Sequence, residues 1–348
     1  MEKILHNFVL YRMPNEKSIN IIEDSAPKAI QCISQLDSEV FVIAPFDLDS
    51  EIPLWAFALK NNKQITKNDL SACSIQMPQK PANNDIVISN EETHKATVHQ
   101  MVSLIKTGKL SKGVISRIKP IARKEENLIE LFLKLTEAYP KAFVYLSSLP
   151  NGEIWCGASP ETLAKYSNNV FETMALAGTQ LIKERNLKSI SWAKKDIHEQ
   201  QWVQEHLEKI FQDQHIKYKK TSPYTLQAGH LAHICTEYAC DMNTSDALKI
   251  LSSLHPTPAV CGTPTLAAKD AILKLENHNR KYYTGFIGKY SPNNFQLFVN
   301  LRCMMLDSTH FYLYVGGGIT TDSIAEKEWL ETEAKAVTME SIIKFVRK

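Results

Sequence analysis

The chain has 348 residues, with 40 basic against 38 acidic side chains, so it lacks the positive excess typical of nucleic-acid or membrane-surface binding. Hydrophobic residues make up 44% and charged residues 22%, as in ordinary globular enzymes, and no apolar run approaches the roughly 18 residues that span a bilayer. The seven cysteines form no CxxC pair, and the first residues do not resemble a secretion signal. We therefore expect a cytoplasmic protein with reduced thiols, acting as a monomer, without a membrane or nucleic-acid partner.

Strand-like and helix-like segments follow one another irregularly. Short runs rich in β-branched and aromatic residues predict strands, and longer amphipathic stretches predict helices. In chain order the predicted elements are a strand at 40–44, helices at 94–109 and 125–138, a strand at 142–146, a helix at 196–212, strands at 295–299 and 311–315, and a helix at 325–346. Strands cluster toward the middle and late chain, which predicts an α+β fold with helices outside the sheets rather than a regular βαβ alternation.

The stretch 61–90 is polar and predicts an exposed connection. It separates a less informative portion, 1–95, from the portion 96–348 that carries the motifs described below. We nevertheless expect one domain over 1–348.

Carboxylates at helical spacing form the most informative local pattern. Offsets of three and seven place Glu328, Glu331 and Lys335 on one face of the last predicted helix, and Asp196 and Glu199 lie three apart on another helix. One interpretation is a pair of solvated faces with an i,i+4 ion pair. The other is a shared cleft whose clustered oxygens bind Mg²⁺ together with an anionic substrate.

Two further patterns narrow the kind of site. His198 and His206 are eight apart, which is not the HExxH spacing of a zinc site. The three glycines 316–318 follow a predicted strand without the GxGxxG pattern of dinucleotide binding. Three glycines in a row allow close approach of the backbone to a carboxylate or phosphate, although tight turns also use them.

Nine short motifs, taken together in order and spacing, resemble the chorismate-utilising enzymes, which include isochorismate, salicylate, anthranilate and aminodeoxychorismate synthases. The motifs are KGVISR at 112–117, GASPE at 157–161, LAGT at 176–179, KDIHE at 195–199, HPTPAVCG at 255–262, ENHNR at 276–280 with YTG at 283–285, Arg302, GGGI at 316–319 and EWLETEAK at 328–335.

The resemblance implies one α+β domain of large antiparallel sheets packed together, with chorismate bound in a cleft. It implies Mg²⁺ as cofactor, held by Glu199 and Glu331, with Asp196 and Glu328 as more distant or water-mediated partners. It implies Lys112 as the base that activates water and Glu161 as the acid that protonates the leaving hydroxyl. The substrate contacts that it implies are Gly178, Thr179, His255, Tyr283, Arg302, Gly316, Gly318 and Lys335. For His255 a purely structural role is equally compatible, and for His233 we favour a structural role.

Two positions select among the chemistries of the family. The amine-adding enzymes have Gln where this chain has Lys112, and the aminodeoxychorismate enzymes carry a lysine where this chain has Ala177. Both residues therefore favour water as the nucleophile and isochorismate synthase as the function. A salicylate synthase, which shares the lysine, and a non-catalytic chorismate-binding protein remain alternatives. The resemblance leaves open whether the product feeds menaquinone or siderophore synthesis.

The proposed chemistry makes a demand on structure. Near neutral pH Lys112 has to lose a proton and Glu161 has to keep one, so both side chains should be buried. Gly113 departs from the family, in which an aliphatic residue is common, and we expect it to loosen the strand that carries Lys112.

Overall fold

Two large antiparallel β-sheets contain most of the strands in a computed structural model, which describes residues 3–77, 86–182 and 190–347. The strands in these ranges are β1 (Lys3–Leu5), β2 (Phe8–Arg12), β3 (Ile19–Glu23), β4 (Lys28–Ile30), β5 (Val40–Ala44), β6 (Leu54–Ala58), β7 (Asn62–Ile65), β8 (Cys73–Ile75), β9 (Lys112–Ala122), β10 (Phe143–Ser148), β11 (Ile154–Ser159), β12 (Thr162–Ser167), β13 (Val170–Leu181), β14 (Lys219–Lys220), β15 (Tyr224–Ala228), β16 (Leu231–Asp241), β17 (Gly262–Thr263), β18 (Phe286–Ser291), β19 (Asn294–Val299), β20 (Cys303–Leu306) and β21 (His310–Ile319).

The α-helices lie between and after these strands. They are α1 (Lys67–Ser71), α2 (Glu91–Lys106), α3 (Leu128–Ala138), α4 (Lys194–Asp213), α5 (Thr244–Leu254), α6 (Thr265–Leu275) and α7 (Ala325–Val346), with short 3₁₀ turns at Ile33–Gln35 and Leu59–Asn61.

Strand order shows how distant parts of the chain come together. One sheet has nine strands in the order β17-β9-β21-β20-β11-β10-β2-β3-β7. The other has ten strands, of which nine follow the order β14-β16-β13-β12-β19-β18-β5-β6-β4 and the tenth, β15, pairs with β16. Strands from before and after residue 95 pair in both sheets, β2 with β10 and β5 with β18. The predicted α+β class with large antiparallel sheets is confirmed.

The core is built in layers. An aromatic cluster joins the two sheets, and within it Phe143 of the nine-stranded sheet stacks on Phe298 of the ten-stranded sheet with ring centroids 4.5 Å apart. The other face of each sheet packs against helices, since Phe211 of α4 belongs to a cluster with β13 and Met339 of α7 to one with β10. Each fully buried side chain of this size contributes about 1.5–3 kcal/mol, so these layers hold the helices firmly on the sheets.

Several sequence predictions of elements need correction. The strand at 40–44 and the helix at 325–346 form with the predicted bounds. The portion 1–95, however, supplies eight strands, so strands do not cluster late in the chain. The stretch 61–90 contains β7, α1 and β8 rather than a bare connection, and its residues 78–85 lie outside the described residues. No helix in the described ranges is long and apolar enough to cross a membrane.

Four elements position the site. Strands β9 and β21 pair along their length, which sets Gly318 opposite Val114 and Gly316 opposite Ser116. Helix α7 packs on β21 and α4 packs on β13. Glu199 of α4 lies at Gly318 and Glu328 of α7 at Gly317, so the N-terminal parts of both helices meet the glycine end of β21. A helix N-terminus carries partial positive charge and favours carboxylates, and Asp196 and Glu328 lie in the first turns of α4 and α7.

Candidate active site

Glycines at the end of β21 let three carboxylates approach the strand. A Cβ built on Gly318 would lie 2.2 Å from Glu199 Oε1, an impossible contact. A Cβ on Gly317 would lie 3.5 Å from Glu328 Oε2 and 3.6 Å from Glu331 Oε1. Backbone without side chains therefore forms the floor below Glu199 of α4 and the two glutamates of α7.

A lysine pairs with each of these three glutamates. The pairs are Lys112–Glu199 at 2.8 Å, Lys335–Glu331 at 2.6 Å and Lys195–Glu328 at 2.5 Å. The carboxylates that the sequence placed on two helical faces are thus brought to one place, and the interpretation as separate solvated faces is wrong. The i,i+4 pair expected within α7 is present as well.

Lys112 is deeply buried at the start of β9. Its side chain is 0% exposed, and its Nζ has no well-aligned hydrogen bond although Glu199 lies in ion-pair range. Burial opposes the charge on Glu199, but Lys112, with help from Lys195 and Lys335, outweighs burial and holds the pKa of Glu199 below its usual range. Glu199 is therefore charged in the substrate-free protein.

Glu161 lies between β11 and β12 and lines the cavity, with 4% of the residue exposed. Burial raises its pKa to about 8, although Lys112 and Arg302 favour the charged form. A carboxyl with this pKa holds its proton at neutral pH. The expected burial of both Lys112 and Glu161 is confirmed.

Arg302 has an unusual setting for a cation. Burial lowers its pKa to about 10, and its backbone has a φ of 48°, in the left-handed region that non-glycine residues rarely adopt. Its Nη2 lies 3.2 Å from His233 Nε2, while His233 Nδ1 lies 2.8 Å from the carbonyl oxygen of Gly178. Burial, reinforced by Arg302, lowers the pKa of His233 to about 3. The neutral ring can donate from Nδ1 to Gly178 and accept from Arg302 at Nε2.

Most predicted substrate contacts line one cavity. The predicted residues that face it are Glu161, Gly178, Thr179, Glu199, Tyr283, Arg302, Gly316, Gly318 and Lys335. Lys112 lies behind this surface, since its Cε is 3.0 Å from the position of a Cβ on Gly318. His233, for which we favoured a structural role, also lines the cavity and contacts Arg302 there. Its position beside LAGT in the paired strand β16 was the signal that could have revealed it.

His255 does not face the cavity. Its Nε2 lies 2.9 Å from the carbonyl oxygen of Phe46, and its ring packs edge-on against Phe286. A substrate contact by His255 stays a prediction, and in this structure the ring joins the segments that carry Phe46 and Phe286. Asp196 is also engaged, accepting from Gln180 Nε2 and from the Ala193 backbone N–H at 3.3 Å each.

The carboxylates have the chemistry that Mg²⁺ prefers. Glu328 Oε2 is buried and has no hydrogen-bond partner, and Glu331 faces the same glycine floor. No three His, Cys, Asp or Glu side chains converge as a preformed metal site in the described parts of the chain. Mg²⁺ usually takes one or two carboxylates and completes its shell with substrate and water. Glu199 and Glu331 fit such a role.

A buried network supports the strand that carries Lys112. Glu276 accepts from the Ser116 backbone N–H at 2.7 Å, and Arg280 donates to Glu276 and to the Val114 carbonyl oxygen. The ladder between β9 and β21 continues to Gly113. A Cβ there would lie 2.4 Å from Met101 Sδ, so the methionine already fills the space. The expected loosening of the strand at Gly113 is therefore wrong.

The sequence of this chain matches a known protein family. A family model described as chorismate-binding enzyme matches residues 32–344. The chain belongs to the chorismate-binding enzyme family. The resemblance inferred from the nine motifs is confirmed, and the match extends well into the portion 1–95 that seemed uninformative.

Two relatives are similar to this chain in sequence, and one solved structure is similar to it in fold. The vibriobactin-specific isochorismate synthase of Vibrio cholerae is 30% identical over 261 residues, which cover 71% of this chain and 66% of the relative. Isochorismate synthase EntC of Escherichia coli is 28% identical, over 72% of this chain and 67% of the relative. The structure of MenF, the menaquinone-specific isochorismate synthase of Escherichia coli, superposes with a TM-score of 0.79 at 18% identity, covering 98% of this chain and 89% of that one.

Proposed function

We propose that the protein is an isochorismate synthase, an isomerase that converts chorismate to isochorismate by adding water at C2 and expelling the C4 hydroxyl. The observation that carries this proposal is Glu161, a buried carboxyl that keeps its proton at neutral pH in the same cavity as Arg302. Two of the relatives named above are isochorismate synthases that align over about 70% of this chain.

Glu161 is the proposed acid. Hydroxide is a poor leaving group, so its departure needs a proton at the moment the C–O bond breaks. A carboxyl with a pKa of about 8 is mostly protonated at pH 7 and is still a far stronger acid than water. The kcat/KM should therefore decline as the pH rises through about 8.

Lys112 is the proposed base for the attacking water. In the substrate-free protein its Nζ lies 2.8 Å from Glu199 Oε1, and its side chain is completely buried behind the glycine end of β21. The Nζ makes no well-aligned hydrogen bond, so Glu199 is its close partner among the described residues. With this partner beside the cavity, Lys112 is placed to take a proton from the attacking water.

The remaining groups bind the two carboxylates of chorismate. Arg302 can bind one of them through two parallel hydrogen bonds, with His233 fixing the guanidinium. Lys335 and the backbone at Gly316 and Gly318 offer further donors along the same cavity. Magnesium, which we propose binds at Glu199 and Glu331, would neutralise the ring carboxylate when present.

The proposal covers the whole chain as a single domain acting as a cytoplasmic monomer. Both sheets combine strands from each side of residue 95, which supports one folding unit. Size-exclusion chromatography with light scattering should give the mass of one chain, and limited proteolysis near residue 95 should not release an independently folded fragment.

The test is product identification with purified variants. Wild type with chorismate and MgCl₂ should yield isochorismate, while Lys112→Ala and Glu161→Gln should each lose on the order of 10²-fold or more in kcat. Lys109→Ala is the matched control, since Lys109 is exposed and lies close to Lys112 in sequence. Stoichiometric pyruvate release would reassign the protein as a salicylate synthase, and binding without turnover would make it a chorismate-binding protein.

A further inference from the structure

The three lysine–glutamate pairs at the glycine end of β21 differ in how freely the lysine can move. Lys112 is completely buried and is the proposed base, and Lys335 also donates to the Gly316 carbonyl oxygen at 2.8 Å. Lys195 pairs only with Glu328 among the described residues, and 31% of its side chain is exposed. It does not line the cavity that holds Glu161 and Arg302. The proposed reaction thus leaves Lys195 without a role.

Lys195 nevertheless acts on the whole cluster. It lies at the second position of α4 and pairs with Glu328 in the first turn of α7. The side chain of Glu328 is 2% exposed. The Lys195 Nζ lies 2.5 Å from Glu328 Oε1, and the other carboxylate oxygen of Glu328 lies beside Glu331 at Gly317. A direct ion pair therefore holds the Lys195 ammonium group against the carboxylate cluster.

The positive charge of Lys195 affects the binding of a metal cation and of an anionic substrate in opposite directions. Each glutamate facing the glycine floor is paired with one lysine, at distances of 2.5 to 2.8 Å. A divalent cation that approaches Glu328 and Glu331 meets the ammonium group of Lys195 as an adjacent like charge, and a dianion in the cavity meets it as a positive charge added to that of Arg302. A divalent cation and a dianion that bind together add no net charge.

We infer that Lys195 is the resident counter-ion of this carboxylate cluster, weakening Mg²⁺ binding to the substrate-free protein and favouring joint binding of the metal and the dianionic substrate. This inference rests on the proposed function. The linkage is reciprocal, so each ligand should increase the affinity for the other by the same factor.

The test uses Lys195→Met, which keeps the aliphatic stem and removes the charge. Calorimetric titration of MgCl₂ into the substrate-free protein should show binding on the order of tenfold tighter than wild type. Titration of chorismate in the presence of a chelator, where the proposed reaction does not proceed, should show binding on the order of tenfold weaker. Opposite shifts are the signature, because a variant that merely loosened α4 against α7 would weaken both.

Two controls separate local charge from other effects. Lys195→Arg keeps the charge and should bind both ligands like wild type. Lys194→Met removes the same charge from the exposed neighbouring residue, where solvent screens it, and should also match wild type. Thermal melting of all variants confirms that they are folded.

The outcomes distinguish this inference from the proposed function. Opposite shifts in Lys195→Met alone support it. If wild type converts chorismate and binds Mg²⁺ but Lys195→Met matches wild type, or weakens both ligands, the counter-ion role is overturned and the proposed function stands. If wild type binds neither chorismate nor Mg²⁺, both are overturned.

Discussion

Replacing Glu161 by Gln should stabilise the protein while inactivating it. The folded protein holds the Glu161 proton up to about pH 8, whereas the unfolded chain releases it near the ordinary value of 4.5. Since the folded state binds the extra proton, raising the pH through this window favours unfolding. Each pKa unit corresponds to about 1.4 kcal/mol, so above pH 8 the buried carboxyl costs the wild type about 5 kcal/mol.

The Glu161→Gln variant would carry no such cost, since an amide does not ionise. Its stability advantage over wild type should therefore grow by about 3 kcal/mol between pH 6 and pH 9. Denaturant unfolding followed by the fluorescence of the five tryptophans at several pH values measures it. Glu125→Gln, at an exposed position, is the control and should run parallel to wild type. Parallel curves for Glu161→Gln as well would refute a proton held by burial, and with it the proposed acid.

Four other substitutions test the site. Glu199→Gln and Glu331→Gln should each nearly abolish magnesium-dependent turnover while the melting temperature shows a folded protein, and full wild-type turnover in excess chelator would contradict the metal assignment. Gly318→Ala should lower kcat/KM on the order of 10²-fold or more, because its Cβ would overlap Glu199, and a wild-type rate would show that the close approach is not needed. His233→Phe should raise the KM for chorismate about tenfold with little change in kcat, since Arg302 loses a partner. With the pKa of His233 lowered to about 3, this difference should be constant from pH 6 to pH 8, and a pH-dependent difference would count against a neutral ring.

Local sequence patterns predicted those strands and helices whose buried residues form a clear apolar run or recur at helical spacing. The strand at 40–44 is a continuous apolar run that is buried on both sides, and the helix at 325–346 is long, with buried residues such as Ala336 and Ile343 at helical spacing. Strand β13 was missed, because its side chains alternate between buried and partly exposed and include polar residues such as Glu172 and Thr173. Long-range pairing with β12 and β16 decides its structure, and local composition carries little of that information.

The sequence predicted most residues of the site but not the contacts between them. Helical spacing alone put Glu328 with Glu331 and Asp196 with Glu199, and the family resemblance placed both pairs around one substrate. The pairing of Lys112 with Glu199 depends on β9 and α4 meeting at the glycine end of β21, which no local spacing encodes. Lys195 was overlooked for the same reason, since its partner lies 133 positions away in sequence.

The most direct test of the proposed function is the identity of the product. Purified protein incubated with chorismate and MgCl₂ near neutral pH, followed by chromatography against authentic standards, should show isochorismate accumulating without stoichiometric pyruvate. The reaction should stop when the metal is chelated and should be lost on the order of 10²-fold or more in Glu161→Gln. An aminated product on addition of ammonia, or pyruvate released in step with chorismate consumption, would contradict the assignment of an isochorismate synthase.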